Sequence, residues 1–297
     1  MSEELNGRAL PRWRSMLYVP MTRPDFIAKA HTRDADAIQL DLEDSVAPQE
    51  KQAARNTLPD AVQQITDSRR AGRPDIVVRI NRPWRLAVRD LEAAVLSGVR
   101  AIALPKVPDA GHVRAVSEII AELENERGLA HGSVSVIAMV ETADAVFGVR
   151  DIATADPRVV ALTLGAEDFA TDVGIEPVGD LLIGPKQSIV FAARAAGILP
   201  LGLVGTLADW KDSDAFADLV ATSRQLGFVG ASAIHPSQVP IMNAGFAPSK
   251  AEVDRARRLV EAYRVAQAEG VGAIDFEGSM VDEPIARRAE LLLAQAG

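Results

Sequence analysis

The chain has 297 residues, long for one domain yet within the range of a single α/β barrel, and its 32 Lys plus Arg against 41 Asp plus Glu give a net charge of −9. That balance argues against nucleic acid or an anionic membrane as the main partner, so an acidic small molecule would need locally placed arginines. With no cysteine there is no disulfide, no thiolate nucleophile and no Cys-ligated zinc.

Hydrophobic residues make up 48% of the chain but aromatic ones only 4%, so the core is built from Ala, Val, Leu and Ile. This composition suits parallel strands covered by helices. The opening MSEELNGRALPRWRS is polar, without the apolar stretch of a signal peptide. No later segment approaches the roughly 18 consecutive apolar residues of a membrane helix. The expectation is a soluble, cytoplasmic protein.

In chain order, short apolar runs alternate with helix-like segments. SMLYVP from Ser15, DAIQLDLED from Asp36, DIVVRIN from Asp75 and RAIALPKV from Arg100 read as strands. So do the run from Val134 to Glu141, RVVALTLG from Arg158, LPLGLVGT from Leu199 and GFVGASAIHP from Gly227. Between them RPDFIAKAHTR, EKQAARNTLPDAVQQI, RDLEAAVLSG, AGHVRAVSEIIAELENERG, GPKQSIVFAARAAG and DAFADLVATSRQLG read as helices, several ending at glycine. About eight strands is the number that closes a (β/α)8 TIM barrel; a doubly wound open sheet competes, because alternation does not by itself show closure. After His235, PSQVPIMNAGFAPSK reads as a loop, AEVDRARRLVEAYRVAQAEG as a long helix, and the remaining segment ends in another helix. The expected organisation is an α/β barrel over residues 1–235 with a C-terminal helical extension over 236–297 acting as a lid.

In a barrel the C-terminal strand ends face the active site. The predicted ends carry Asp41 and Glu43, Arg79 and Asn81, Lys106, Glu141, Glu167 and Asp168, and His235. Asp41 and Glu43 share one face of an extended strand, with Leu42 on the other. Taken singly, each acid reads as readily as a helix cap or a partner for arginine. Their conjunction at several strand ends points to a site. Glu141 and Asp168 end successive predicted strands 27 residues apart, about one βα unit, which puts them within reach of one ion. Oxygen ligands, no cysteine and only four histidines suit Mg2+ better than zinc.

RSMLYVPMTRPDFIAKA, ADAIQLDLEDSV, VVRIN, ALPKV, VIAMVETADAV, LTLGAEDFATDVG, AARAAG, LGFVGASAIHPSQV and GSMVDEPIARRAE occur in that order, from about Arg14 to Gln295. As a set they resemble the citrate lyase beta-subunit-like branch of the HpcH/HpaI aldolase superfamily, which includes malyl-CoA and citramalyl-CoA lyases. The resemblance implies a Mg2+-dependent lyase that cleaves a carbon–carbon bond in a carboxylated 3-hydroxyacyl-CoA. It implies Glu141 and Asp168 as metal ligands, Arg79 as a contact for the substrate's oxygens, Asp282 as a proton-transfer residue, and Asp41, Glu43 and Asp44 in the metal's outer shell, holding waters and arginines. Glu141, Arg23 and Asp41 are further candidate substrate contacts, and Arg79, Glu43 and Asp44 candidate catalytic residues beside Asp282. The resemblance also implies a homotrimer or homohexamer in which the C-terminal lid serves an adjacent subunit. The chemistry asks for the same residue types: a Lewis acid for the nascent carbonyl, a fixed guanidinium for developing oxyanions, and a carboxyl group for the enolate carbon.

Lesser candidates have plainer readings beside the functional ones. Arg23, ahead of Pro24 at a helix start, could meet a CoA phosphate or lie on the surface, and Lys29 is a weaker version of the same idea. Lys106 either supports the acidic centre or forms a structural ion pair. His235 orients the following loop; His31, His112 and His131 read as surface residues, and Asp209 and Asp212 as helix caps. TLADWKDSDAF (206–216) and Glu277-Gly278 depart from the family pattern, which leaves the acyl group open. Beside the freestanding lyase stand a citrate lyase beta subunit acting on citryl-acyl carrier protein, a malate synthase or thioesterase variant, and a non-catalytic CoA-binding assembly subunit.

Overall fold

The computed structural model describes residues 4–5, 8–68, 74–205 and 212–296. Eight strands, β1 (Ser15–Pro20), β2 (Ala37–Asp41), β3 (Asp75–Arg79), β4 (Val99–Leu104), β5 (Ser135–Val140), β6 (Val159–Leu164), β7 (Leu199–Leu201) and β8 (Ala231–Ala233), pair in parallel in the order β8-β1-β2-β3-β4-β5-β6-β7. A bridge between Leu201 and Gly230 closes the circle, with Gly202 N–H donating to Gly230 O at 2.8 Å and Val229 N–H to Pro200 O at 3.1 Å. The open-sheet alternative is thereby excluded.

The apolar runs divide by parity. Ile38, Leu40, Ile76, Val78, Val136 and Ala138 face the surrounding helices, whereas Ala37, Val77, Ala101, Ile137 and Met139 fill the barrel interior with Trp13 and Met16. Trp13 is buried in that interior cluster, and its indole N–H donates to Asp75 at 2.8 Å. A side chain at Gly230 would run into the Trp13 carbonyl at 1.7 Å, so only glycine lets the chain pass there.

The outer layer is formed by α1 (Pro24–Ala30), α2 (Lys51–Thr66), α3 (Trp84–Ala94), α4 (Ala110–Glu126), α5 (Ala143–Phe147), α6 (Val149–Ala153), α7 (Ala166–Val173), α8 (Gly179–Ala196), α9 (Ser213–Leu226) and α10 (Gln238–Gly245). The last of these falls where the sequence reads as a loop. Its prolines do not break it: Pro236 precedes the helix, Pro240 lies in its first turn where no intrahelical donor is lost, and Pro248 follows it. Val239 and Met242 bury its inner face.

Contacts separate one compact unit spanning Glu4–Phe246 from another that runs from Ala247 to the C-terminus. The expected boundary after residue 235 therefore moves to 246, because α10 belongs with the barrel. In the second unit α11 (Lys250–Ala268) starts at a capping box made by Ser249 and Glu252. A hairpin follows, β9 (Ile274–Phe276) and β10 (Ser279–Val281), turned by Glu277 and Gly278 at φ of 52° and 77°. The unit ends in α12 (Glu283–Ala296), and Leu259, Tyr263, Val281 and Ala286 form its small core.

One buried ion pair braces the barrel base. Glu124 of α4, fully buried, accepts from Arg158 at 2.9 and 2.7 Å and from the amides of Gly132 and Val134 at 2.7 and 2.8 Å. Burial acts to raise its pKa, but Arg158 and the amides outweigh that and lower it to about 2. A depressed carboxylate pKa stabilises the fold above the ordinary range, and that contribution is lost as pH falls. Glu124→Ala should cost about 3–5 kcal/mol at pH 7 by leaving Arg158 buried and unpaired. In urea unfolding the deficit relative to wild type should shrink as pH approaches about 2.

Candidate active site

Continuing the inward parity of β2, β3 and β5 by one step beyond Gln39, Val77 and Met139 brings Asp41, Arg79 and Glu141 to the inside of the C-terminal rim. Asp41 and Arg79 are direct register partners on adjacent strands. Arg79 donates through Nε and Nη2 to the two oxygens of Asp41 at 2.7 and 2.8 Å. The same oxygens accept from the amides of Glu43 at 3.0 Å and Ser45 at 3.2 Å. These four bonds fill the acceptor capacity of a carboxylate. Asp41, 1% exposed, therefore orients Arg79, as the outer-shell expectation has it, and has no oxygen left for the expected substrate contact. Burial acts to raise its pKa; the Arg79 bonds prevail and hold it low. The Tyr18 ring lies beneath the guanidinium at 4.9 Å.

Glu43, also buried, bridges two cations. Its Oε2 lies 2.8 Å from Arg79 Nη1, off hydrogen-bond geometry, and its Oε1 accepts from Lys106 Nζ at 2.9 Å. Burial raises its pKa despite both. Lys106 sits in a left-handed conformation, φ +49°, with its carbonyl accepting from Arg82 Nε at 3.2 Å. From there Nζ also approaches Asp44 at 3.7 Å and Asp168 at 3.6 Å. Both readings of Lys106, ion pair and support of the acidic centre, hold together. Asp44 is exposed, 3.5 Å from Arg79.

Asp168 lies in the first turn of α7 rather than on the strand expected to carry it. Asp172, one turn on, accepts from the Ala143 amide at 2.9 Å and so ties α7 to the loop after Glu141. Glu141 is 3% exposed, and its Oε2 has no hydrogen-bond partner. Burial first, then the like charges of Asp168 and Glu43, push its pKa up to about 8. It lies against Gly165, where a Cβ would come within 2.5 Å of its Cγ and 2.7 Å of Oε1. The described residues hold no cluster of three or more His, Asp or Glu ligands. Two carboxylates suffice for Mg2+, which keeps waters and substrate oxygens in its shell, and an unpartnered buried carboxylate facing a second one suits such a cation.

The remaining candidates fall outside this cluster. Arg23 is exposed, bonded to Asp25 at 3.1 and 3.2 Å and stacked on Phe26 at 3.9 Å; Lys29 is exposed in the last turn of α1. His235 bonds Ser237 at 2.7 Å, and Gln238 accepts from the amides of Ile234 and His235, so the loop-orienting reading stands. His131 is exposed and His31 half-buried. His112 is buried rather than superficial: its ring packs against Trp84 at 4.6 Å between centroids, tilted by 59°, and burial and then Arg82 lower its pKa to about 4. Asp212 caps α9, while Asp209 lies outside the described residues. Asp282, in the C-terminal unit, caps α12 by accepting from the Ile285 amide at 3.4 Å. Sequence reasoning missed Gly165 and Lys51, whose Nζ donates to the Leu42 and Glu43 carbonyls at 2.8 and 2.7 Å. Gly165 was visible as the glycine that opens GAED, two residues before the acidic pair Glu167 and Asp168, and Lys51 as a cation in the first turn of a helix.

This geometry defines a (β/α)8 protein whose rim holds a two-carboxylate centre flanked by an immobilised arginine and lysine. Residues 14–236 match the family model HpcH/HpaI aldolase/citrate lyase, and the chain belongs to that family. It is 36% identical over 303 aligned positions to citrate lyase subunit beta of Escherichia coli K12, covering all of this chain and 97% of that protein. It is also 36% identical over 306 positions to the L-malyl-CoA/beta-methylmalyl-CoA lyase of Rhodobacter capsulatus, covering 95% of this chain and 94% of that one. The crystal structure of CitE from Mycobacterium tuberculosis in complex with magnesium, acetoacetate and coenzyme A is similar at a TM-score of 0.75 and 33% identity, covering 95% of this chain and 97% of that one.

Gly165→Ala tests the Glu141 arrangement, because the added methyl displaces the carboxylate with no backbone strain. Calorimetric titration with Mg2+ should show affinity weakened about tenfold or more, with the melting temperature within a few degrees of wild type.

Proposed function

We propose that this chain is a Mg2+-dependent carbon–carbon lyase that cleaves a carboxylated 3-hydroxyacyl-CoA, such as malyl-CoA or citramalyl-CoA, to acetyl-CoA and a 2-oxo acid. The observation that carries the reading is Glu141, a buried carboxylate with an unpartnered oxygen beside Asp168, in a chain that is 36% identical to a malyl-CoA lyase. Glu141 and Asp168 would hold Mg2+, which when bound supplies Lewis acidity at the hydroxyl oxygen that becomes the carbonyl. Arg79, clamped by Asp41, keeps donors beyond those it spends on Asp41 and Glu43 and offers them to the substrate's carboxylate or alkoxide. Glu43, with raised proton affinity, is suited to take the hydroxyl proton. The bond between the 2- and 3-carbons then breaks, its electron pair passing into the thioester enolate. Lys106 and Arg79 offset that charge, Asp44 tunes their field, and Asp282 delivers the proton to the enolate carbon.

The C-terminal unit acts as the lid that brings Asp282, and the protein is a cytoplasmic homotrimer or homohexamer in which that lid serves a neighbouring copy. No helix among the described residues is long and apolar enough to cross a membrane. The full-length identity to citrate lyase subunit beta favours one second reading, a subunit acting on citryl-acyl carrier protein.

Purified protein with Mg2+ should be offered malyl-, citramalyl-, methylmalyl- and citryl-CoA and, separately, citryl-acyl carrier protein, with 2-oxo acid and free thiol followed separately. Oxo acid without thiol supports the lyase; release of both indicates a coupled thioesterase; cleavage confined to citryl-acyl carrier protein supports the subunit reading. No product from any of them rejects the proposal. Asp168→Ala should abolish turnover and the calorimetric response to Mg2+ while keeping the far-UV spectrum, since an exposed residue contributes little packing. Asp282→Ala and Glu141→Ala subunits, each inactive alone, should regain partial activity when refolded together. Hybrids of verified mass that stay inactive count against the shared site.

A further inference from the structure

Lys51 occupies an unfavourable place. It opens α2, where the helix dipole disfavours a cation, and its ammonium group is partly withdrawn from water. A lysine held in one rotamer there also loses side-chain entropy. Local preferences broken in this way are expected where function supplies the reason.

The hydrogen bonds supply one. Lys51 Nζ donates to the carbonyls of Leu42 at 2.8 Å and Glu43 at 2.7 Å. The Leu42 carbonyl accepts a second bond, from Asn81 Nδ2 at 2.9 Å. Asn81 is itself fixed by Asp90, through its side chain at 2.6 Å and its amide at 2.7 Å, and Arg55, one turn after Lys51, donates to Asp90 at 2.6 Å. Asp90 is fully buried and Arg55 is 5% exposed, so this anchor is shielded from solvent. On the other side of the same loop, Asp41 accepts from the amides of Glu43 and Ser45. Two helices and a strand end thus converge on the backbone of residues 42–45.

We infer that Lys51 is a positioning residue for Glu43: by holding the Leu42 and Glu43 carbonyls it fixes the Glu43 carboxylate between Arg79 and Lys106, with Asn81, Asp90 and Arg55 as the anchor behind it. The activity readout rests on the lyase reading; the readout of loop order does not.

The test compares full-length wild type with Lys51→Met, which keeps the apolar stem and removes the donors, and Lys51→Arg, which returns them. In Lys51→Met, kcat should fall about 10- to 100-fold while KM changes much less. Amide exchange followed by mass spectrometry should be about tenfold faster over residues 42–46, with the melting temperature within a few degrees of wild type. Lys51→Arg should recover most of the lost kcat. Wild-type kcat per folded molecule together with unchanged exchange in Lys51→Met overturns the inference, as does a loss of activity that merely tracks a loss of stability. If Lys51→Met does not fold, Lys51→Gln, uncharged and shorter, with an amide that cannot reach both carbonyls as the ammonium does, is judged on the same two readouts. If wild type turns over no thioester, the lyase reading fails while exchange over residues 42–46 still decides the role of Lys51.

Discussion

The fork between Arg79 and Asp41 is the contact on which the site is built. It joins the last rung of two neighbouring parallel strands, so it exists only in the register that pairs residue 41 with residue 79. A slip of one residue would turn one partner into the helix layer and leave the other buried and unpaired. Because Asp41 also caps the turn that follows, the same carboxylate sets the guanidinium and starts the loop that carries Glu43. Lys106 then takes its place against Glu43, and Asp168 stands across from it.

Charge is distributed unevenly around that fork. Arg79 and Lys106 compensate Asp41 and Glu43, which leaves Glu141 and Asp168 with little cationic partner beyond the approach of Lys106 to Asp168. A carboxylate buried without a bond is a costly thing for a fold to keep. Gly165 lets it approach α7 closely, and the Asp172 bond to the Ala143 amide keeps its loop beside that helix. The two carboxylates thereby stay close with little compensating charge, the kind of preorganisation that the proposed cation site would use.

Much of this was legible in the sequence because the strand period is two. Once DAIQLDLED, DIVVRIN and the run before Glu141 read as barrel strands, Asp41, Arg79 and Glu141 fell at the C-terminal rim; which parity faces inward, in runs apolar on both faces, came from the packing. What the period could not give was pairing: that all four acceptor positions of Asp41 are filled, that Lys106 bends back through a left-handed residue, or that His112 is buried against Trp84. Those depend on distances between segments far apart in sequence. α10 escaped because its prolines fall before the helix, in its first turn and after it, where they do not interrupt hydrogen bonding. Lys51 escaped because its targets are backbone carbonyls, which leave no trace in residue identity.

The way the barrel closes bears on how the chain reaches this state. β1 takes β2 on one side early, but its other edge waits for β8, pairing Met16 with Ser232 across most of the polypeptide. During synthesis that edge stays open until more than two hundred residues have emerged, an exposed template for pairing with the wrong strand. β7 and β8 are three residues long and joined through a single bridge, so the final seam has few ladder bonds to drive it. Closure then depends on Trp13 passing the bare backbone at Gly230. The contact that completes the barrel is thus the most non-local in its sheet and leaves no room for a side chain, a constraint quite apart from those of the acidic rim.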